Sequence, residues 1–483
     1  MSATARPGRL APYTPLQEPF LAFSSANPSE VDAHPLRGLL EYGPYSKNSL
    51  AAYSDSVRVA IVGPESGSEG RRKVLGNLRQ TQRPSDRRDY VPEFPGFEPL
   101  FGVPLVPAPE CTRLDWPSHL DGLGDGSPHE RVRRAISQNL RRLADVRDQF
   151  DVAVVHLPDG WEPGLHGEGF DAHDELKAIG AELSMPTQVI NDRTFGFPYV
   201  ASLSWRLAIA LYVKAGGTPW RLAPLPGIPS ESAYIGLAYA LRGNPKEARF
   251  VTCCSQLFDA DGGGMQFVAY DARDPLDISE DARRNPYLSR SDMRAVLARS
   301  LDLYRRRNGG QVPKRVAVHK TTDFKAEELA GVSDALSAVE EVECVKVTTD
   351  VKWRGVWLQA PRRQGSKSQP DGYPVHRGTM VPLSGTSALL WVAGNAPSVA
   401  QRGSSFFQGG KSIPSPLIFA RQMGRGPLEV IASELLALTK MDWNNDALYD
   451  PVPVTIRYSQ RLARIIANVP ALPRSAYPYR MFM

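Results

Sequence analysis

Three apolar stretches in the middle of the chain decide the fold: AYIGLAYAL (233–241), RFVTCCSQLF (249–258) and MQFVAYD (265–271). Each has the length and composition of a strand, and Gly, Pro or Asp residues separate them, which predicts three strands in succession. An amphipathic stretch at 289–307 then predicts a long helix. The strand pattern RVAVHK (315–320) and a second helix, beginning at Ala326, follow it.

A three-stranded meander, a helix, a parallel strand and a helix form the element order of an RNase H-like sheet. Upstream, the strand VRVAIVG (57–63), a helix at 128–150, the buried strand DVAVVHLPD (151–159) and TQVIN (187–191) alternate with further helices. This alternation predicts a small doubly wound, Rossmann-like domain. We therefore predict an α/β protein with an extended N-terminal lead-in at 1–55, a Rossmann-like domain at 56–228 and an RNase H-like domain at 229–483.

Composition limits the class of protein. The chain has 483 residues, of which 42% are hydrophobic and 23% charged, as expected for a soluble globular protein of two or three domains. It has no apolar run long enough to cross a membrane and no secretion signal at its start. Its four cysteines show no metal-ligand spacing, so we expect a cytoplasmic protein. A net charge of +5 permits an anionic partner without requiring one.

Four polar side chains of the first domain could converge on an anion. His173 and Lys177 are four residues apart on one predicted helix, Gln188 enters a strand, and Lys214 ends a further helix. A terminal phosphate is held well by several converging donors of this kind. From spacing alone the plainer alternative stays open, in which Lys214 complements a helix dipole and the other two side chains are solvated.

The segments HDELK (173–177), PTQVIN (186–191) and LYVKAGG (211–217) resemble the Argonaute MID domain, in the pocket that holds the 5′-phosphate of the guide. The resemblance implies that His173, Lys177, Gln188 and Lys214 bind the first guide nucleotide. Where the family often has another lysine this chain has Ala210, and Arg206 on the same helix is expected to compensate.

The end of the sequence carries a second resemblance. The segment at 439–466, TKMDWNNDALYDPVPVTIRYSQRLARII, resembles the end of a PIWI domain, and the segment at 403–424 resembles the PIWI stretch before it. The resemblance implies that a set of polar residues in these segments contacts the guide or target backbone, namely Lys411, Arg421, Asn445, Arg457 and Arg461.

The RNase H-like half has lost the expected metal ligands. Two-metal hydrolysis of a phosphodiester needs several converging carboxylates. Ala238 stands where the first strand should carry an Asp, and Thr321 replaces the Asp after the fourth strand, so we predict that the chain is not an enzyme. Asp259, Asp261 and Asp323 lie nearby in sequence and keep one alternative open, an active metal-dependent, nucleic-acid-guided endonuclease.

Taken together, the chain resembles the short prokaryotic Argonautes, which consist of MID (here 56–228) and PIWI (229–483) domains. The resemblance implies a small guide RNA that recognises complementary single-stranded DNA. It also implies a heterodimer with a separate APAZ-containing protein, whose TIR, sirtuin-like NADase or nuclease effector is activated in defence against plasmids or phage, with higher oligomers as a further possibility.

The resemblance also implies one metal ion, a Mg²⁺ at the guide 5′-phosphate bound by the terminal carboxylate of Met483. The tail RMFM is apolar and could tuck inward, although a merely packed tail is an equal alternative. Two further alternatives are a scaffold that binds no guide and a small-molecule enzyme built on the first domain. The latter is disfavoured because VGPESGSEG (62–70) lacks the GxGxxG order.

Overall fold

The computed structural model describes residues 12–47, 55–85, 90–167, 169–242, 250–259, 263–271, 287–349, 351–359, 367, 369–397, 399, 413–469 and 476–483. Two residues singled out in the sequence, Asp261 and Lys411, lie outside these ranges. Within the described ranges no helix combines the length and the apolar character that crossing a membrane would require.

The described strands are β1 (Thr14–Pro15), β2 (Leu21–Ala22), β3 (Val31–Asp32), β4 (Val57–Gly63), β5 (Leu105–Pro107), β6 (Arg113–Asp115), β7 (Val152–Leu157), β8 (His166–Gly167), β9 (Phe170–Asp171), β10 (Thr187–Asn191), β11 (Arg221–Leu222), β12 (Ser232–Arg242), β13 (Phe250–Asp259), β14 (Gly264–Asp271), β15 (Arg315–Lys320), β16 (Glu341–Thr348), β17 (Val356–Gln359), β18 (Gln369–Pro374), β19 (Thr379–Pro382), β20 (Ser387–Trp391), β21 (Leu417–Met423) and β22 (Ala476–Pro478).

The described α-helices are α1 (Pro35–Tyr42), α2 (Ser68–Asn77), α3 (Phe97–Phe101), α4 (Pro128–Ala144), α5 (Glu162–Leu165), α6 (Ala172–Glu182), α7 (Asp192–Phe195), α8 (Val200–Lys214), α9 (Arg290–Arg307), α10 (Ala326–Ala335), α11 (Leu428–Leu438) and α12 (Val454–Asn468).

The first half of the chain forms a parallel sheet in the order β10-β7-β4-β5, with β6 also paired to β4. Every residue of β7 is buried, because helices cover both faces of the sheet. Helix α4 begins at a capping box in which Ser127 and Glu130 bond each other's backbone, with Pro128 at the first helical position. The predicted Rossmann-like alternation is confirmed.

The second half forms a ten-stranded sheet in the order β1-β19-β20-β21-β16-β15-β12-β13-β14-β22. Strands β12, β13 and β14 form an antiparallel meander, and β15 lies parallel to β12, which confirms the predicted RNase H-like order. Helices α9 and α10 cover one face of β12, and α12 covers the other. Gly236 permits this close packing, since a Cβ there would collide with the carbonyl oxygen of Thr455 on α12.

The segment before the first sheet contributes more structure than the predicted extended lead-in. Strand β1 pairs with β19 at the edge of the ten-stranded sheet, β2 pairs with β3 and β11, and α1 is a helix of eight residues. Sequence patterning missed α1 because the glycines and prolines around it interrupt the helical period.

Candidate functional site

The lysines of α6 and α8 meet over strand β10. Lys177, in the middle of α6, donates a hydrogen bond from Nζ to the carbonyl oxygen of Thr187 at 2.6 Å. Lys214, in the last turn of α8, donates to Oε1 of Gln188, the next residue of β10. Helix, strand and helix therefore bring together three of the four residues that the sequence predicted, and His173 lies one turn before Lys177.

Both lysines are buried without a counter-charge. Lys177 and Lys214 are each 1% exposed, and neither forms an ion pair within the described part of the chain. Burial, with the neighbouring charges of Lys214 and Arg461, holds the pKa of Lys177 well below its usual value. Burial and Arg461 lower the pKa of Lys214 to about 7. Buried cations without a partner are costly, so this cluster is suited to an anion that completes it.

His173 belongs to the same electrostatic group. Burial and the charges of Lys177 and Arg461 lower its pKa, although Asp174 beside it acts in the opposite direction. A neutral imidazole can still donate one hydrogen bond to a phosphate oxygen. We refer to His173, Lys177, Gln188 and Lys214 as the lysine pocket.

Arg461 of α12 lies near the lysine pocket, whereas the PIWI resemblance implied a contact with the guide or target backbone. Its charge lowers the pKa of all three ionisable pocket residues. Its Nε is buried and has no hydrogen-bond partner among the described residues. One signal could have indicated this location: positions 457, 461, 464 and 468 fall on one face of α12, as a polar stripe facing a neighbour would.

The same stripe fixes helix α6. Asp174 is fully buried and accepts hydrogen bonds from Arg464 Nε at 3.1 Å and from Asn468 Nδ2 at 2.8 Å. Burial alone would raise the pKa of Asp174, but the bonds from His173, Asn468 and Arg464 outweigh it and lower the pKa. Asp174 therefore joins the two halves of the chain.

Arg206 is not part of this group. Its Nε forms an ion pair with Oδ1 of Asp446 at 3.1 Å, in the loop before α12. Arg206 is thus occupied by Asp446, and Ala210, the position where another lysine was expected, is buried in the core.

Three polar residues expected on the nucleic-acid backbone have partners within the protein. Arg421 donates from Nε to Glu343 at 2.9 Å and from Nη1 to the carbonyl oxygen of Gly426 at 2.7 Å, and only 9% of its side chain is exposed. Arg457 pairs with Asp450. Asn445 Oδ1 accepts the backbone N–H of Ala447 at 3.1 Å, which closes a local turn. In this structure all three stabilise strand ends and loops.

Asp259 and Asp323 are the two acids near the degenerate positions that lie among the described residues. Asp259 of β13 pairs with Ala233 of β12, and Ala233 lies five residues before Ala238 on that strand. That spacing along a strand is roughly 17 Å. Asp323 accepts bonds from Lys346 at 2.7 Å and from Gln422 at 2.8 Å.

In the described part of the chain, one group of side chains has the geometry of a metal site: Asp171, His173 and Asp174, beside the lysine pocket. Asp171 already caps α6 and bonds His166 at 3.0 Å, and Asp174 is held by Arg464. The carboxylates of Asp171 and Asp174 therefore already bond other groups of the protein. The turn at Tyr479–Met481 contacts α6 and α8, and the side chain of Met483 is buried.

Comparison with known proteins shows which of them this chain is similar to. No protein-family model matches the sequence. Protein argonaute of Cereibacter sphaeroides (strain ATCC 17025 / ATH 2.4.3) is 24% identical over 459 residues, which cover 90% of this chain and 54% of that protein. The chain thus spans about half the length of the curated relative that it matches.

Solved structures show the same fold. Clostridium butyricum Argonaute, bound to a guide DNA and a 19-mer target DNA, matches with a TM-score of 0.68 and 14% identity, over 98% of this chain and 55% of that one. The A. aeolicus Argonaute and Drosophila Piwi each match with a TM-score of 0.58 and 14% identity. The two matches cover 98% and 97% of this chain, respectively, and 56% of each of those two chains. The described fold is thus that of Argonaute MID and PIWI domains.

Proposed function

We propose that this chain, with its MID and PIWI fold, binds the 5′-phosphorylated end of a guide strand in the lysine pocket. The observation that carries the proposal is the pair of buried lysines, Lys177 and Lys214, beside Arg461 and without a carboxylate partner in the described residues. A phosphate would neutralise them and accept their hydrogen bonds, while Gln188 and His173 supply neutral donors.

Replacing Lys177 or Lys214 by alanine tests this proposal. Each substitution removes a charge-assisted hydrogen bond, so we expect the affinity for a 5′-phosphorylated RNA to fall about tenfold or more. The affinity for the same RNA with a 5′-hydroxyl should barely change. Lys73→Ala, at an exposed lysine of α2, is the matched control and should leave both affinities unaltered. Equal binding of the two RNA ends by the unaltered protein would refute the proposal.

We further propose a guide of small RNA and a target of single-stranded DNA. The guide would thread from the lysine pocket along the PIWI half, where base pairing reads the target sequence and the protein reads the shape and backbone of the duplex. Sequencing the nucleic acid that co-purifies with the chain tests the identity of the guide; recovery of DNA guides alone would contradict this part.

We propose that the chain does not cut its target. Ala238 and Thr321 supply no metal ligand, Asp259 lies far along the sheet from Ala238, and Lys346 neutralises Asp323. The alternative, an active endonuclease, predicts cleavage of a guide-matched single strand in Mg²⁺ or Mn²⁺. We expect intact target in that assay, with a known active Argonaute as the positive control; a metal-dependent product of defined length would favour the alternative.

A Mg²⁺ ion at the guide phosphate is part of the same proposal. The terminal carboxylate of Met483 and the guide phosphates offer oxygen ligands of the type that Mg²⁺ prefers. The buried side chain of Met483, and the contact of the 479–481 turn with α6 and α8, support this placement. When bound, the ion would neutralise phosphate charge. EDTA should then weaken the binding of 5′-phosphorylated RNA more than that of 5′-hydroxyl RNA.

The remaining proposal concerns a partner. A chain that binds a guide but does not cut the target requires another protein to carry the effector activity. The sequence resemblance suggests an APAZ-containing protein with TIR, sirtuin-like or nuclease activity. Co-expression of the chain with an APAZ protein encoded beside it should yield a stable heterodimer. Its effector should be activated only by guide-matched single-stranded DNA; activity that ignores the target sequence would contradict the proposal.

A further inference from the structure

A second cavity lies in the first half of the chain, between α2 and strands β4 and β6. Its volume is about 510 Å³, within the range of small-molecule sites, which is about 300 to 1,000 Å³. Four arginines line it: Arg71, Arg72, Arg79 and Arg113. In open α/β sheets, ligands bind beyond the carboxyl ends of the strands, and this cavity lies beside those ends of β4 and β6.

Arg71 is a buried guanidinium that the nearby carboxylates Asp115 and Glu65 stabilise only at a distance, without a direct ion pair. It is 5% exposed, and it forms no ion pair within the described part of the chain. Its Nη1 donates to the carbonyl oxygen of Pro64 at 2.7 Å and contacts His156 Nδ1 at 3.2 Å. The other two nitrogens of Arg71 have no hydrogen-bond partner among the described residues. Burial lowers the pKa of Arg71 even though Asp115 and Glu65 act in the opposite direction, so a further anion in the cavity would stabilise its charge.

The surroundings hold Arg71 in place. A Cβ on Gly63 would lie 2.6 Å from Arg71 Nη1, so glycine at this position leaves room for the guanidinium. His156 bonds Asp192 Oδ1 at 2.9 Å through Nε2, which leaves Nδ1 to face Arg71 as an acceptor. Burial lowers the pKa of both Arg71 and His156. The guanidinium is thus oriented before any ligand arrives.

The rest of the cavity is also cationic. Arg72 and Arg113 are exposed and form no ion pair with any described residue, and Arg79 bonds only the carbonyl oxygen of Leu105, at 2.9 Å. The acidic residues of the lining are Glu65 and Asp115, two against four arginines. Guanidinium groups bind phosphate oxygens through paired N–H donors.

An apolar surface completes the lining. Ile61, Leu75 and Pro107 form it, beside the arginines. A ligand with a flat organic part and several negative charges would use both surfaces.

We propose that this cavity, the arginine cavity, binds a nucleoside polyphosphate, with the phosphates on the four arginines and the base or ribose on the apolar surface. The site is separate from the lysine pocket, because β10 and β6 lie on opposite sides of the β7–β4 pair. Three strand spacings amount to roughly 14 Å. The proposal does not depend on the proposed guide-binding function.

The test uses calorimetric titration of the full chain with ATP, tripolyphosphate and adenosine. The Lys177→Ala/Lys214→Ala protein serves as the background, so that the lysine pocket cannot contribute. We expect ATP to bind, tripolyphosphate to bind more weakly and adenosine to bind barely at all. Arg72→Gln/Arg113→Gln removes two exposed cations without disturbing the core, and it should reduce the ATP affinity about tenfold or more.

Arg83→Gln is the matched control, because Arg83 is an exposed arginine of the same half that pairs with Glu93 outside the cavity. It should leave ATP binding unchanged. Arg71→Met should abolish the rise in melting temperature that ATP causes, while the protein remains folded by circular dichroism. The proposal is overturned if ATP fails to bind, if Arg83→Gln weakens binding as much as the double variant, or if a 5′-hydroxyl oligonucleotide occupies the cavity and excludes ATP.

Discussion

At the scale of single residues, the lysine pocket combines a stability cost with a binding function. Lys177 and Lys214 are almost fully buried, and the neighbouring charge that lowers the pKa of both is another cation, Arg461. Nothing in the local sequence favours such an arrangement, which destabilises the free protein. Residues that violate the rules of stable packing in this way are typical of binding sites.

Lys214→Met should stabilise the free protein and abolish its preference for a 5′-phosphate. The unfolded chain keeps a proton on Lys214 up to about pH 10.5, whereas the folded chain releases it near pH 7. The free energy of unfolding of the unaltered protein therefore rises with pH across that window, and the lysine is most costly at pH 7 and below. We expect a gain of about 1 kcal/mol or more at pH 6.5, shrinking towards pH 10.

Chemical denaturation at several pH values measures this effect. Binding should show the opposite trend: since the phosphate favours charged Lys214, the affinity of the unaltered protein for 5′-phosphorylated RNA should fall as pH rises above about 7. Lys73→Met provides the control for any general effect of lysine removal. A Lys214→Met protein that is less stable at pH 6.5 would show that the ammonium is not a net cost.

At the scale of elements, α12 connects the two proposed domains. Near its start Thr455 bonds the buried His319 of β15 at 3.0 Å, and near its end Arg464 and Asn468 hold Asp174 of α6. Its 15 residues span roughly 22 Å. One rigid helix therefore positions Arg461 at the lysine pocket relative to the RNase H-like sheet.

Gly236→Ala tests how closely this helix must pack. The new Cβ would collide with the carbonyl oxygen of Thr455, a backbone atom that can move only if α12 shifts. We expect the free energy of unfolding to fall by about 1–3 kcal/mol, and the affinity for 5′-phosphorylated RNA to fall with it, because Arg461 moves with the helix.

Gly76→Ala, in the last turn of α2, is the matched control, since a Cβ there meets nothing within 4 Å. It should not destabilise the protein, and any gain should stay below the value of about 0.5–1 kcal/mol for a glycine in mid-helix. If both glycine substitutions have the same effect in urea titrations, the close approach of β12 and α12 is not a constraint.

At the scale of the whole molecule, the lead-in is part of the core. A single apolar cluster includes Leu21 and Phe23 of the lead-in, Trp205 of α8 and Tyr458 of α12. A buried ionic group adds to it: Glu18 accepts bonds from Arg377 at 3.0 Å and from Lys440 at 2.6 Å. Burial alone would raise the pKa of Glu18, but Arg377 and Lys440 outweigh it and lower the pKa.

Glu18→Ala should destabilise the whole molecule, because it leaves Arg377 and Lys440 buried without a counter-charge. We expect the free energy of unfolding to fall by about 3–5 kcal/mol, as is usual when one partner of a buried ion pair is removed. Glu30→Ala, in the same segment but bonded only to exposed Asn27, is the control and should change it by less than about 0.5 kcal/mol. Comparable melting temperatures for the two variants would show that the lead-in is not anchored by this group.

The sequence by itself determined the order of elements and much of the lysine pocket. The alternation of strands and helices is a local pattern, and it predicted both sheets because hydrophobic periodicity reports on contacts within one element. Lys177, Gln188 and Lys214 could be singled out because each has a defined position on its own helix or strand. His173 followed from its spacing to Lys177.

Only the tertiary structure decided which charges meet. The location of Arg461 at the lysine pocket, the bond between Arg464 and Asp174, and the internal partners of Arg421 and Arg457 join residues on separate elements, some almost 300 positions apart. The arginine cavity likewise combines residues of α2 with residues of β6. Such pairings depend on how sheets and helices pack, and a charged side chain has much the same local pattern whether it ends in solvent, in an ion pair or in a buried site.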